Sequence, residues 1–157
     1  MADVIGKVVA VSLGSRKGEK KRPVPSAVLV EDHGVQGDAH AGAGERQVSL
    51  LARESIDTMR GKGLDVGPGD FAENITVEGL DVPNLRAGEK LRVGEALLEI
   101  TRVGKECHDR CAIYMQAGDC VMPREGVFAR VLRGGKVSPG DPVERTGNRP
   151  QDRPGGE

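Results

Sequence analysis

The sequence predicts a mainly β protein: a closed or strongly curved mixed β-barrel with one main helix and a few short helical turns. Three observations predict it. The 157 residues include 23 glycines and 9 prolines, which punctuate the chain between short apolar runs. About seven of those runs have strand length, while a single segment has helical spacing. Closure removes the exposed edges that so many short strands would otherwise present.

Val4 to Leu13 is rich in valine and isoleucine and reads as the first strand. The basic, glycine-containing stretch Ser15 to Arg22 follows as a loop, with Pro23 and Pro25 behind it. Ala27 to Val30 is a short strand. Glu31 to Glu45, crowded with glycine and alanine-glycine turns, is expected to hold no regular structure. Gln47 to Leu51 reads as a buried strand. Ala52, Ile56 and Met59 then fall at i, i+4 and i+7, which puts one apolar stripe on a helix ending near Gly61 or Gly63.

Ile75 to Val77, Lys90 to Val93 and Ala96 to Val103 read as strands, the last two joined in a hairpin by Gly94-Glu95. Gly126 to Leu132 suits either a strand or a helical turn, ended by Gly134-Gly135. In Val137 to Arg145, Pro139-Gly140-Asp141 turns the chain into a final strand. From Gly147 no apolar residue remains, so the expected organisation is one domain over 1–146 and a disordered tail over 147–157.

Composition excludes several function classes. Lys plus Arg number 23 against 24 Asp plus Glu, so no global field recruits nucleic acid or an anionic membrane. With two phenylalanines, one tyrosine and no tryptophan, there is no stacking platform for bases. No apolar run is long enough to span a bilayer, and the first residues lack the order of a signal peptide, so a cytoplasmic location is expected.

Chemistry concentrates in Gly104-Lys-Glu-Cys107-His108-Asp-Arg110-Cys111, followed by Cys120 and Met122-Pro-Arg124-Glu-Gly126. A thiolate is both nucleophile and metal ligand, and Lys105, His108 and Arg110 favour a charged sulfur nearby. Cys120, beside Val121 and Met122, fits a small core residue better. Zinc ligation by Cys107, His108, Cys111 and Cys120 would need a C-x3-C-x8-C spacing, unlike the paired knuckles of structural zinc.

Three further segments carry candidate groups. Gly34-Val-Gln-Gly-Asp38-Ala-His40 offers a carboxylate and an imidazole, or simply a glycine turn whose aspartate bonds nearby amides. Arg16, Lys17, Lys20, Lys21 and Arg22 form either an anion cradle or a solvated face. Asn74, in Gly69-Asp-Phe-Ala-Glu-Asn-Ile-Thr76, has a donor and an acceptor just ahead of a strand, or is a turn residue at strand entry.

The ordered set Gly34-Val-x-Gly-Asp-x-His40, Arg46-Gln-Val-Ser-Leu-Leu51, Gly69-Asp-Phe-x-Glu-Asn74-Ile, Gly104-Lys-Glu-Cys-His108, Arg110-Cys111 and Met122-Pro-Arg-Glu-Gly-Val-Phe-Ala-Arg130 resembles the MOSC domain, named for the C-terminal domain of molybdenum cofactor sulfurases. The resemblance runs from about Ile5 to Val143. It implies a β-barrel and a cysteine that carries persulfide sulfur or coordinates the molybdenum of a bound molybdopterin. Arg110-Cys111 resembles the family's cysteine element best, with Cys107 as competitor. Asn74 matches an asparagine near the pterin in molybdenum-binding relatives, and Lys17 lies where they have a cofactor-contacting lysine. Asp38, His40, Arg46 and Arg124 complete the implied binding set. Ala72 stands where relatives have an arginine, so Arg46 or Arg124 would supply that anion contact. The desulfurase portion of eukaryotic sulfurases has no counterpart here, and pyridoxal phosphate is not expected on this chain.

Three functions follow from the resemblance. The first is a sulfurtransferase or sulfur carrier working with a cysteine desulfurase and molybdenum cofactor biosynthesis or acceptor proteins. The second is a molybdenum cofactor-binding protein or small reductase with Cys111 on the metal. The third is a docking module without enzymatic activity. The sequence leaves the oligomeric state open.

Overall fold

The computed structural model describes residues 3–14, 21–39, 41–42, 44, 47–61, 63, 65–71, 73–82, 85–103 and 126–145. The chain starts with β1 (Asp3–Leu13), β2 (Arg22–Val24), β3 (Ala27–Val30), β4 (Gly34–Val35) and β5 (Val48–Ala52). The helix α1 (Arg53–Gly61) and β6 (Ile75–Glu78) come next. The hairpin strands β7 (Lys90–Val93) and β8 (Ala96–Val103) follow, then β9 (Val127–Arg133), β10 (Gly135–Val137) and β11 (Pro142–Arg145).

Seven strands close a mixed barrel in the order β11-β7-β8-β9-β5-β6-β1, because β11 also pairs with β1. Only β5 and β6 run parallel within it, their connection passing through α1. A small sheet, β10-β3-β4, lies apart from the barrel ladder. The interior is aliphatic: Val8, Val11, Val48, Leu50, Ile75, Val77, Leu91, Val93, Leu98, Ile100, Val127, Ala129, Val131 and Val143 are buried in one cluster. That filling explains how a chain with so few aromatics builds a core, since β-branched and leucine side chains pack well inside a narrow barrel. Helix α1 lies against β5 and β6 and buries Ser55, Ile56 and Met59.

The hairpin bounds and the turn at Gly94-Glu95 agree with the sequence reading, as do the main helix and the final strand. The structure resolves Gly126 to Leu132 as strand β9. Four expectations need correction. Arg22 is not loop but the first residue of β2, on the sheet edge, where a proline is tolerated. Pro23 sits opposite Ser12, whose N–H and C=O are both turned toward Asn74, so no ladder bond is asked of the proline. The stretch Glu31 to Glu45 contains the two-residue strand β4, pinned on Leu29 and Val30. Gly134 ends β9 as read, but Gly135 is not part of that stop: it opens β10, paired with β3. Ala52 closes β5 instead of opening the helical stripe, its burial coming from the barrel interior. The expected tail, 147–157, lies outside the described residues.

Candidate functional site

Where β1 ends, β6 begins and β5 passes, a row of backbone partners crosses the barrel wall. Val103 pairs with Val127, Val127 with Leu50, Leu50 with Ile75, and Ile75 with Val11. The row therefore joins the end of β1 to the two strand ends that flank residues 104–125. Asn74, Ser49 and Ser12 each stand one residue from it.

Asn74 is buried and braces three strands. Its Oδ1 accepts from Ser49 N at 3.1 Å and Ser49 Oγ at 3.2 Å, and its Nδ2 donates to Ser12 O at 3.2 Å. The Asn74 amide in turn donates to Ser49 Oγ at 3.0 Å, and Asn74 O accepts from Ser12 N at 2.7 Å. A carboxamide is needed because one side chain must accept on one flank and donate on the other.

Glu73 precedes it with its side chain inside the protein, 0% exposed. Its carboxyl oxygens accept from Gly69 N (2.9 Å), Phe71 N (3.3 Å) and Thr76 Oγ1 (2.8 Å), which folds the 69–76 segment around one acid. Burial pushes the Glu73 carboxyl above its ordinary 4.5, and bonds from Gly69, Thr76 and Phe71 pull it part of the way back. Between 4.5 and the raised native value, the folded state holds a proton that the unfolded chain has released. Stability therefore falls as pH rises through that window. Glu73→Gln is expected to flatten this slope; urea midpoints measured from weak acid to neutral pH will show whether the variant and wild type converge or run parallel.

Asp38 is buried on the other flank. Its Oδ1 accepts from Gly14 N at 2.9 Å and from Lys21 Nζ at 2.8 Å, and both side chains of the ion pair are 0% exposed. Backbone bonds reinforce the arrangement: Ala39 N donates to Gly14 O, and Lys21 N donates to Gly69 O, each at 2.8 Å. Gly69 has φ +87°, and a Cβ there would collide with Lys21 O. The Gly34–Asp38 and Gly69–Asn74 motifs thus meet on Lys21, the former through its side chain and the latter through its backbone.

Of the sequence-predicted site residues, Asp38 and Asn74 are described, on opposite flanks of this junction. Lys17, His40, Arg46, Cys107, His108, Arg110, Cys111 and Arg124 lie outside the described residues, as does Cys120. Sequence reasoning treated Lys21 as one member of a basic run; the buried Asp38 partner separates it from that run. Glu73 and Ser12 were not singled out, although a lone polar residue inside Val8-Val-Ala-Val-Ser-Leu13 and an acid between Phe71 and Ile75 were visible signals.

The donor set bears on a bound pterin. Among the described residues, the polar groups of Asn74, Asp38 and Glu73 are turned onto the protein itself and act as scaffold. The hydroxyl of Ser12 is the exception, buried with no hydrogen-bond partner. No group of three metal-ligating side chains occurs among the described residues. Nor is any helix among them long and apolar enough to cross a membrane.

A sequence model of the MOSC domain matches residues 37–144. The chain is 27% identical over 154 residues to the uncharacterized protein YflK of Bacillus subtilis (strain 168), an overlap of 89% of this chain and 69% of YflK. The crystal structure of the YUAD protein from Bacillus subtilis superposes with a TM-score of 0.74 at 20% identity, covering 92% of this chain and 95% of that one. YiiM from Escherichia coli superposes with a TM-score of 0.66 at 24% identity, over 91% and 70% of the two chains. At such identities the solved structures speak for the fold.

Proposed function

Because the chain belongs to the MOSC domain family, we propose that it is a sulfur carrier or sulfurtransferase of molybdenum cofactor metabolism, with Cys111 as the loaded thiol. The observation that carries the reading is the junction at the barrel rim. There Asn74 and Ser12 each stand one residue from the row that ends on Val127 and Val103, strand ends flanking the cysteine-bearing stretch in sequence, and Asp38 joins the end of β1 through Gly14 N and Lys21. A rigid wall of buried hydrogen bonds is what a reactive loop needs behind it.

In the proposed step, the Cys111 thiolate attacks the terminal sulfur of a donor persulfide. The donor S–S bond breaks, the donor cysteine leaves as a thiolate, and Cys111 keeps the sulfur as a persulfide. A second exchange passes that sulfur to an acceptor and restores the thiol state, with no net oxidation. His108 and Arg110 would stabilise the anionic sulfur, and Cys107 would be the neighbour able to form a disulfide and release the bound sulfur. A cysteine desulfurase fits as donor and a cofactor biosynthesis protein as acceptor.

The Asp38 clamp favours a second reading, in which the chain holds molybdenum cofactor. Asp38 ties down Gly14 and Lys21, which border the basic residues Arg16, Lys17 and Lys20. Cys111 would be a soft ligand to the metal, while Lys17, His40, Arg46 and Arg124 would hold and orient the pterin and its phosphate, with Asn74 bracing the strands as scaffold. When bound, the group would supply redox chemistry at molybdenum.

Loading with inorganic polysulfide, followed by cyanolysis of the attached sulfane sulfur, tests the first reading. Cys111→Ser is expected to reduce loading to background while Cys107→Ser and Cys120→Ser retain it. Loss on Cys107→Ser alone moves the role to Cys107. Loading unchanged in all three variants overturns the thiol-carrier reading in favour of a docking module.

A further inference from the structure

We propose that the outer face of β7, β8 and β9 is a docking surface for an acidic protein, held by Lys90, Arg92 and Arg133 around Leu97. Such a surface is independent of the sulfur-carrier reading.

Strand register brings these side chains together. Lys90 faces Glu99, which faces Arg130; Arg92 faces Leu97, which faces Arg133. Residues directly opposite on antiparallel strands project to the same side of the sheet. Their neighbours along the strands, Leu91, Val93, Leu98 and Val131, fill the barrel, so both rows look outward. The second row continues from Arg92 to Glu144 on β11. Lys90, Arg92, Arg130 and Arg133 are exposed, and Leu97, between two of the arginines, is half-buried.

The positive charge here is local and uncompensated. The whole chain has 23 basic and 24 acidic residues, enough acid to pair every base. Arg130 takes Glu99 at 2.7 Å. Lys90, Arg92 and Arg133 form no ion pair among the described residues. Glu54, Asp57, Glu78 and Asp81 gather elsewhere, on and beside α1, which packs against β5 and β6. Three like charges within two strand spacings repel one another, a strain that the fold does not need and a negative partner relieves.

The pattern favours a protein over a uniform polyanion. Glu99 and Glu144 lie within the same two rows, so a phosphate polymer would meet a carboxylate along either of them. A folded protein can set carboxylates against the three cations and hydrogen-bond donors against the two glutamates. Arginine around an apolar centre is also the composition enriched at protein interfaces. Four strands span about 15 Å. That width suits a small, rapidly exchanging contact steered by charge more than a permanent one.

The test uses the full chain, a fluorescent peptide rich in glutamate and leucine as the acidic probe, and a DNA duplex as the uniform polyanion. Wild type is expected to bind the peptide, several-fold more weakly as salt is raised to about 0.15 M. Arg92→Gln with Arg133→Gln is expected to raise the peptide Kd about tenfold at an unchanged thermal midpoint. Lys7→Gln with Arg60→Gln removes the same charge from the α1 side and is expected to change Kd less than about twofold. Equal weakening by the two double variants would mean that net charge alone is read, and would overturn the surface, as would no peptide binding at low salt. Tighter binding of the duplex, lost on the same arginines, overturns the choice of a protein partner. A lower thermal midpoint for Arg92→Gln with Arg133→Gln would assign the arginines to the fold and likewise overturn the proposal.

Discussion

Lys21→Met alone is expected to cost about 3–5 kcal/mol of folding stability, the range seen when one partner of a buried ion pair is removed. The Asp38 carboxylate would keep only Gly14 N of the two donors that now share its Oδ1 at 2.8–2.9 Å, with its side chain 0% exposed. Methionine matches the length of lysine, so the loss reads the removed counter-charge and not a cavity. Asp38→Asn in the Lys21→Met background should recover most of it, because a neutral amide is far cheaper to bury than a carboxylate that has lost its lysine. Urea denaturation of the single and double variants gives the coupling directly. A single variant within about 1 kcal/mol of wild type would mean that Lys21 and Asp38 are solvated in solution, since exposed pairs contribute that little.

Gly69→Ala is the second large effect. At φ +87° a left-handed conformation costs alanine about 1–2 kcal/mol before any contact is considered. The new methyl would also collide with Lys21 O, a backbone atom that cannot rotate away. The segment must shift, and the bonds from Lys21 N to Gly69 O and from Gly69 N to Glu73 shift with it. A total loss of about 3 kcal/mol or more is expected, the sum of strain, overlap and hydrogen bonds. Gly140 is the control: its φ of +95° is similar, yet a Cβ there meets nothing within 4 Å. Gly140→Ala should therefore show the conformational part alone, about 1–2 kcal/mol. Equal losses at the two glycines would show that the Lys21 carbonyl gives way easily.

The barrel was legible wherever apolar runs and turn residues agreed. Lys90–Val93 and Ala96–Val103 alternate cleanly around Gly94-Glu95, and their bounds match the sequence reading. Strands β2, β4 and β10 were not legible, because two or three residues are too few to show a period and their pairing is set by distant partners. Pro23 argued against a strand by local rules, and only the orientation of Ser12 toward Asn74 makes it acceptable.

The site divides similarly. Asp38 and Asn74 were found as polar residues in glycine-rich motifs, but the bonds that occupy them are long-range, to Lys21, Ser12 and Ser49, and no local pattern announces such partners. Lys21 shows the difficulty best: by sequence it belongs with Lys17 and Lys20, and by structure it belongs with Asp38. The thiol cluster is read from the sequence alone, from Cys107, Cys111 and Cys120 with histidine and arginine neighbours, and lies outside the described residues.

The most direct test of the sulfur-carrier role is the intact mass and metal content of the protein purified from a host that makes molybdopterin, wild type beside Cys111→Ser. Wild type alone should carry an additional mass of about 32 Da, one sulfur atom on a reactive thiolate, without stoichiometric molybdenum. Added sulfur that persists on Cys111→Ser, or molybdenum bound one-to-one to wild type with no added sulfur, would contradict that role.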